Sequence, residues 1–308
     1  MSAQSARQWR AVLFEVNVIS ESVFDVVWRS SGATSGPERV FVLVDHAGCS
    51  GLLARLSQST SLRWSSLFQD STESSAIEVA PILIDLGSPD IPASGGKRLL
   101  AWLSEACSSS NAVLVMRSTR AHEELSASLK RRLDALLPDD MPVLLRYFDS
   151  RVFVSLMQTF DAQQKAAFCC IASQWLWLDR GGKLREMITR EETEDVLHDP
   201  ITFSVAQQAQ LIESCEADAV AQEVVRTAPD LCSGLSRGQL HELVSACLPA
   251  AHRHGITSLL MQSLFCMVSL EHGVSFHEQA SWLDGLTAAR TQGQDFAWVV
   301  QQVERSLA

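Results

Sequence analysis

Three histidine–glutamate dipeptides, His122-Glu123, His241-Glu242 and His277-Glu278, are the first places in this chain where a metal hydrolase could be built. Zinc protease chemistry needs a second histidine four residues on, so that both imidazoles leave one helix face toward the same ion. Those positions hold Ser126, Ser245 and Ser281, and the pattern fails three times. His252 and His254 flank Arg253 with no further ligands at a familiar spacing, and read as last-turn histidines favoured by the negative end of a helix. Gly95-Gly96-Lys97 and Gly181-Gly182-Lys183 suggest phosphate loops. That chemistry requires a glycine five residues before the second glycine and a Ser or Thr after the lysine, where this chain has Ile91 and Arg98, then Trp177 and Leu184. Both are ordinary turns. No metal and no cofactor is expected.

Two polar groupings remain. Asp45-His46 follows an apolar run and could supply an acid and a base, although a loop cap is the simpler reading. The densest cluster is Arg146-Tyr147-Phe148-Asp149-Ser150-Arg151. Asp149 is placed as the N-cap of the helix that follows, or to take an arginine bidentately. The alternative is a hydrolase that uses Asp45, His46, Arg146 and Asp149 in one cleft. Structural ion pairs produce such clusters more often than catalysis does. Eight cysteines form no C-x-x-C pair, and Cys169-Cys170 lie in an apolar run as buried filler.

The elements that would position these residues divide the chain. Val40–Val44, Val79–Leu86 and Ala112–Met116 are continuous apolar runs, the mark of strands buried on both faces. Val143–Phe148 and Trp175–Leu178 resemble them, and Ala11–Ile19 is a weaker sixth. A helix is expected over Thr119–Leu137, with Leu125, Leu129, Leu133 and Leu136 on one face, and a shorter one over Arg151–Phe160. Segments 30–37, 71–75 and 88–96 are Ser-rich loops. From Ser204 onward the spacing is helical. Ile212, Cys215, Ala219, Val220 and Val224 form one stripe, and a Ser236–Gln239 capping box opens the next. Pro249 should kink or end that helix. Leu260, Leu264, Met267 and Val268 make a third stripe closed by Gly273, and Phe296, Val299, Val300, Val303 and Leu307 a fourth. The expected fold is a mixed α/β lobe at residues 1–185, an acidic linker at 186–203, and an all-α lobe at 204–308.

With 36 acids against 25 bases the chain has a net charge of −11. That excess removes the electrostatic footprint of a nucleic-acid binder and repels anionic membranes. Residues 204–308 carry eleven acids, five arginines and no lysine, a net of −6. No run approaches the ~18 apolar residues of a membrane helix. Met1–Ser20 lacks the pattern of a signal peptide, and reduced cysteines point to the cytoplasm.

Arg146–Arg151 (RYFDSR) resembles the R-(F/Y/W)-(Y/F)-D-P-R signature of the bacterial type VI secretion effector-adaptor (chaperone) family. Other blocks agree in order: Val40–Ala47 (VFVLVDHA) with Asp45, Trp64–Phe68 followed by Val79–Leu86 with Pro81, Val113–Leu137 with Ser118, and Trp175–Gly182 (WLWLDRGG). His252–Phe276 resembles its C-terminal helical region. Ser150 stands where the signature has proline, and His46 where the family has glycine. The resemblance implies a cytoplasmic adaptor, not an enzyme, that binds a cognate toxic effector and helps load it onto the VgrG spike. It makes Asp45, Pro81, Ser118, Arg146, Tyr147, Asp149 and Arg151 motif residues with structural or interface roles. Trp175, Trp177, Trp282 and Trp298 are the candidate partner anchors. An immunity or scaffold protein that neutralises a toxin is the remaining alternative.

Overall fold

In the computed structural model, residues 26–28, 37–70, 73–107 and 111–307 are described. The readings made of Met1–Ser20, of a strand at Ala11–Ile19 and of a loop at 30–36 lie outside them. The chain is a mixed α/β unit followed by a helical one. Two compact units meet at Ile212 and Glu213, inside a long helix rather than in the segment expected as a linker.

The first unit is built on β1 (Arg39–Asp45), β2 (Arg63–Ser66), β3 (Pro81–Asp85), β4 (Val113–Ser118), β7 (Gln174–Leu178) and β8 (Leu184–Ile188), in the order β2-β3-β1-β4-β7-β8. Every neighbouring pair is antiparallel. Apart from Arg39, every residue of β1, β3 and β4 is buried. This is why these strands read as unbroken apolar runs: an antiparallel sheet covered on both faces loses the usual in–out alternation. The covering leucines and phenylalanines come from α1 (Leu52–Ser57), α2 (Gly96–Ala106), α3 (His122–Arg131), α4 (Ser150–Thr159) and α5 (Ala162–Cys169).

A second, small sheet joins β5 (Asp134–Leu136) to β6 (Pro142–Leu144) and, in parallel, to β9 (Ile201–Thr202). It corrects three expectations. The helix predicted to reach Leu137 stops at Arg131, because Leu133 turns its carbonyl to the Leu145 amide (2.7 Å) and the chain runs on as β5. The strand predicted through Phe148 ends at Leu144. Residues 186–203 are no linker: β8 begins the stretch, β9 ends it, and Asp195 between them is 7% exposed.

The second unit is helical: α6 (Val205–Thr227), which begins in the first unit, α7 (Arg237–Arg253), α8 (Leu259–His272), α9 (Ala280–Gln292) and α10 (Phe296–Leu307). The Ser236–Gln239 capping box forms as the sequence predicts, with the Ser236 Oγ accepting the Gln239 amide at 3.2 Å. Pro249 does not end α7. It and Ser245, whose carbonyl loses its partner, are exposed, so water can satisfy the freed group. Two stripes are displaced in part, Val220 and Val224 of the first and Leu264, Met267 and Val268 of the second lying in or against the core. On α6, Ile212 and Cys215 are exposed while Ala217, Val220 and Val224 are buried. On α8, Leu260 is 58% exposed and Gln262, Ser263 and Ser269 face inward beside Phe265, Cys266 and Val268. Short side chains let neighbouring helices approach closely, and the Ser263 and Ser269 hydroxyls donate to carbonyls four residues back (2.7 and 2.9 Å). Buried serines therefore cost little. No helix among the described residues is long and apolar enough to cross a membrane.

Candidate functional site

The Arg146–Arg151 segment is a tight connection between β6 and α4. The Leu145 amide just before it is tied to the Leu133 carbonyl, and its Asp149 amide bonds the Arg146 carbonyl at 3.0 Å. Asp149 is the N-cap of α4, its Oδ1 accepting the Arg151 amide at 2.9 Å. The same carboxylate is gripped by the Arg151 guanidinium, Nε to Oδ1 at 3.0 Å and Nη2 to Oδ2 at 2.6 Å. Both oxygens are therefore occupied by hydrogen bonds from within the motif. Ser150 takes the first helical position, where proline would also fit because that amide needs no helical partner. Here serine adds two bonds, its amide to the Asn111 carbonyl (2.9 Å) and its Oγ to the Leu178 carbonyl (3.1 Å).

Tyr147 and Phe148 point inward. Tyr147 is fully buried, its hydroxyl donating to the Leu129 carbonyl at 2.7 Å, and burial pushes that phenol far above its ordinary value. Its ring meets Phe168 edge-on at 5.3 Å. Arg146 lies half outside, over the Phe148 ring at 5.6 Å, and reaches Asp45 Oδ2 at 3.1 Å. Asp45 caps the turn after β1 through Oδ1 to the Ala47 amide (3.1 Å). Burial pushes the Asp45 carboxyl up, opposed by the pull of Arg146 and helped by the nearby Asp149 charge. The structure thus brings Asp45, Arg146 and Asp149 together, as the hydrolase alternative required, but as a cap-and-clamp arrangement. His46 is half-buried, and among the described residues its Nδ1 has no hydrogen-bond partner.

The other motif residues hold strand ends. Pro81 opens β3 opposite Asp45, a place where its missing N–H is tolerated, and its carbonyl accepts the Leu67 amide at 2.9 Å. Ser118 closes β4, fully buried, its Oγ 2.8 Å from the Ile171 carbonyl and 2.6 Å from Glu191 Oε1. Of the four tryptophans, Trp175 is fully buried beside Phe153, and Trp282 is 3% exposed against Phe276. Neither can anchor a partner in this conformation; both were needed to fill cores. Trp177 and Trp298 are half-buried. Trp177 packs edge-on to Phe153 at 5.4 Å, and among the described residues its buried indole N–H has no acceptor.

Sequence reasoning passed over three features. The largest is Arg132, wholly buried at the end of α3 and held bidentately by Asp195 at 2.8 Å on both oxygens. Its remaining donors reach the Phe168, Ser128 and Ala167 carbonyls at 2.7 to 2.9 Å. Burial alone would raise the Asp195 carboxyl; the hydrogen bonds and charge of Arg132, with Arg131 joining at 2.5 Å, hold it far below the usual range. Second, the His122 imidazole meets the Ser65 hydroxyl at 3.0 Å, which in turn meets Ser126 at 3.1 Å, and burial lowers the His122 pKa. Third, Gly234–Gly238 (GLSRG) has nucleophile-elbow spacing, but no strand precedes it and its serine is the α7 cap, Ser236.

Residues 40–167 match a family described as a domain of unknown function, DUF4123. The match runs from β1 to the last turn of α5 and covers less than half of the chain. It contains the whole signature with Asp45, Pro81 and Ser118, and it leaves out β7, β8, β9 and the helical unit. Comparison with curated proteins and with solved structures finds no match.

Proposed function

We propose that this protein is a cytoplasmic, non-catalytic adaptor that binds a cognate type VI secretion effector and helps load it onto the VgrG spike. The observation that carries this reading is the coincidence of the DUF4123 match with the ordered sequence blocks that resemble the effector-adaptor family, ending in Arg146–Arg151. The chemistry of the cluster supports it. A general acid or nucleophile needs a group directed at a substrate, whereas both Asp149 oxygens are held by Arg151 and both Asp45 oxygens by the Ala47 amide and Arg146. Such residues build a rigid frame for a binding surface. Trp177 and Trp298, half-buried, are the tryptophans this reading retains as anchors.

Co-expression with the toxin gene encoded beside it tests the proposal. The two proteins should co-purify, and deletion of the adaptor should abolish secretion of that toxin while leaving the spike assembled. Failure to co-purify together with undiminished secretion would overturn it. Protection of the producing cell without any effect on export would instead make it an immunity protein.

A further inference from the structure

The six-stranded sheet ends on β8, and the hairpin that carries it reveals which backbone groups face outward. At the closed end the Asp179 amide bonds the Lys183 carbonyl (2.9 Å), and at the open end the Thr189 amide bonds the Ser173 carbonyl (2.9 Å). Antiparallel pairs alternate between bonded and non-bonded, so Arg185 and Met187 bond inward to Trp177 and Trp175, their register partners. The N–H and C=O of Leu184, Glu186 and Ile188 point off the sheet, and among the described residues no partner meets them. Natural edges are usually blunted by charged side chains, proline, a bulge or a covering element, and β8 carries charge at Arg185 and Glu186. This one has no proline, and Ile188 stands 69% exposed. The opposite edge, β2, offers less: the bond from the Leu67 amide to the Pro81 carbonyl turns only Trp64 and Ser66 outward, and Ser66 is buried.

Beside β8 on the Trp177 face lies a cleft of about 260 Å³, bordered by Trp177, Arg151, Arg180, Arg185 and Asp179. Asp149 holds Arg151 and Asp179 holds Arg185 (2.6 and 2.7 Å), so three guanidiniums share two carboxylates around this cleft, on a chain whose net charge is −11. A residue added opposite Arg185 would project to the same face as Trp177 and Arg185, at this cleft. We infer that the β8 edge takes up an extended segment of a partner protein as a seventh strand, with an acidic side chain of that segment directed into the arginine-lined cleft and apolar ones beside Met187 and Ile188. Main-chain bonds would supply affinity and the cleft specificity. The inference rests on the adaptor reading for the partner's identity, but not for its chemistry.

The test is fluorescence anisotropy of the full chain with a labelled seven-residue peptide of alternating valine and threonine carrying one central glutamate. Binding should be at least tenfold tighter than that of the same peptide with a central lysine. The β8 amides of Leu184, Glu186 and Ile188 should gain protection from hydrogen exchange on binding. Ile188→Pro removes an outward N–H without touching the ladder to β7, and should weaken binding at least tenfold while the melting temperature holds. Ile188→Thr, which keeps the N–H, should bind, and Arg185→Glu should reverse the preference for glutamate over lysine. No binding at millimolar peptide, equal binding of the lysine peptide, or undiminished binding by a folded Ile188→Pro would each overturn the assignment. A concentration-dependent dimer that Ile188→Pro abolishes would give the edge to a second copy instead. Effector co-purification that survives Ile188→Pro would remove this site while leaving the adaptor role intact.

Discussion

The Arg146–Arg151 connection and the β7–β8 hairpin lie side by side, the Ser150 hydroxyl bonding the Leu178 carbonyl across them, yet they treat polar groups in opposite ways. In the connection, every carboxylate oxygen of Asp149, the Tyr147 hydroxyl and the Ser150 hydroxyl is bonded within the fold. In the hairpin, alternate backbone groups of β8 are turned outward and Ile188 is open to water. The first lies within the segment that matches DUF4123 and the second beyond its end. A motif dense in charge is here tied down within the fold, and the open backbone groups are carried by an edge strand with little motif character. Buried polar groups must be paired, which ties them to one geometry, while an edge needs only a free ladder.

That contrast can be broken or sharpened by substitution. The largest effect is expected at the buried clamp that secures the frame. Asp195→Ala leaves Arg132 without its counter-charge, and should cost about 3–5 kcal/mol in urea unfolding. The sign with pH follows from the depressed Asp195 carboxyl: its contribution is present above the ordinary carboxylate range near 4 and is lost as pH falls below it. Wild type should lose stability steeply below about pH 4, and Asp195→Ala should show a flatter acid limb. Asp149→Ala removes both the α4 cap and the Arg151 grip, for about 1–2 kcal/mol. If it abolished partner binding while the melting temperature stayed at the wild-type value, the frame reading of the motif would fail. Tyr147→Phe deletes one buried hydrogen bond and should cost about 1 kcal/mol by thermal melting. Ile188→Pro should have the smallest effect on stability of the four and the largest on peptide binding.

Legibility in the sequence followed the range of the interaction. The cores of β1, β3, β4 and β7, the Asp149 cap and the Ser236–Gln239 box were readable, because each depends on residues a few positions apart. The end of α3 was not. Leu133 and Leu136 continue its apolar spacing, and what stops the helix is the pairing of β5 with β6 and β9, the latter some 66 residues away in the register Ala135–Ile201. The acidic stretch after β8 looked like a solvated linker for the same reason. The partner that makes Asp195 a buried anchor is 63 residues upstream. On α8 only Leu260 of the expected stripe faces outward, while Val268 is buried and Leu264 and Met267 pack against the core.

The sequence by itself determined that a sheet-forming half precedes a helical half, where most strands and caps begin, and that Arg146–Arg151 is a special segment. These are consequences of backbone stereochemistry and side-chain periodicity, which are local. Only the tertiary structure decided that the sheet is antiparallel throughout, that Trp175 and Trp282 are core, that Arg132 and Asp195 meet, and that β8 rather than β2 presents the open edge. Each of those outcomes depends on burial and pairing between residues far apart in the chain, and their free energy exists only once the chain has closed around them.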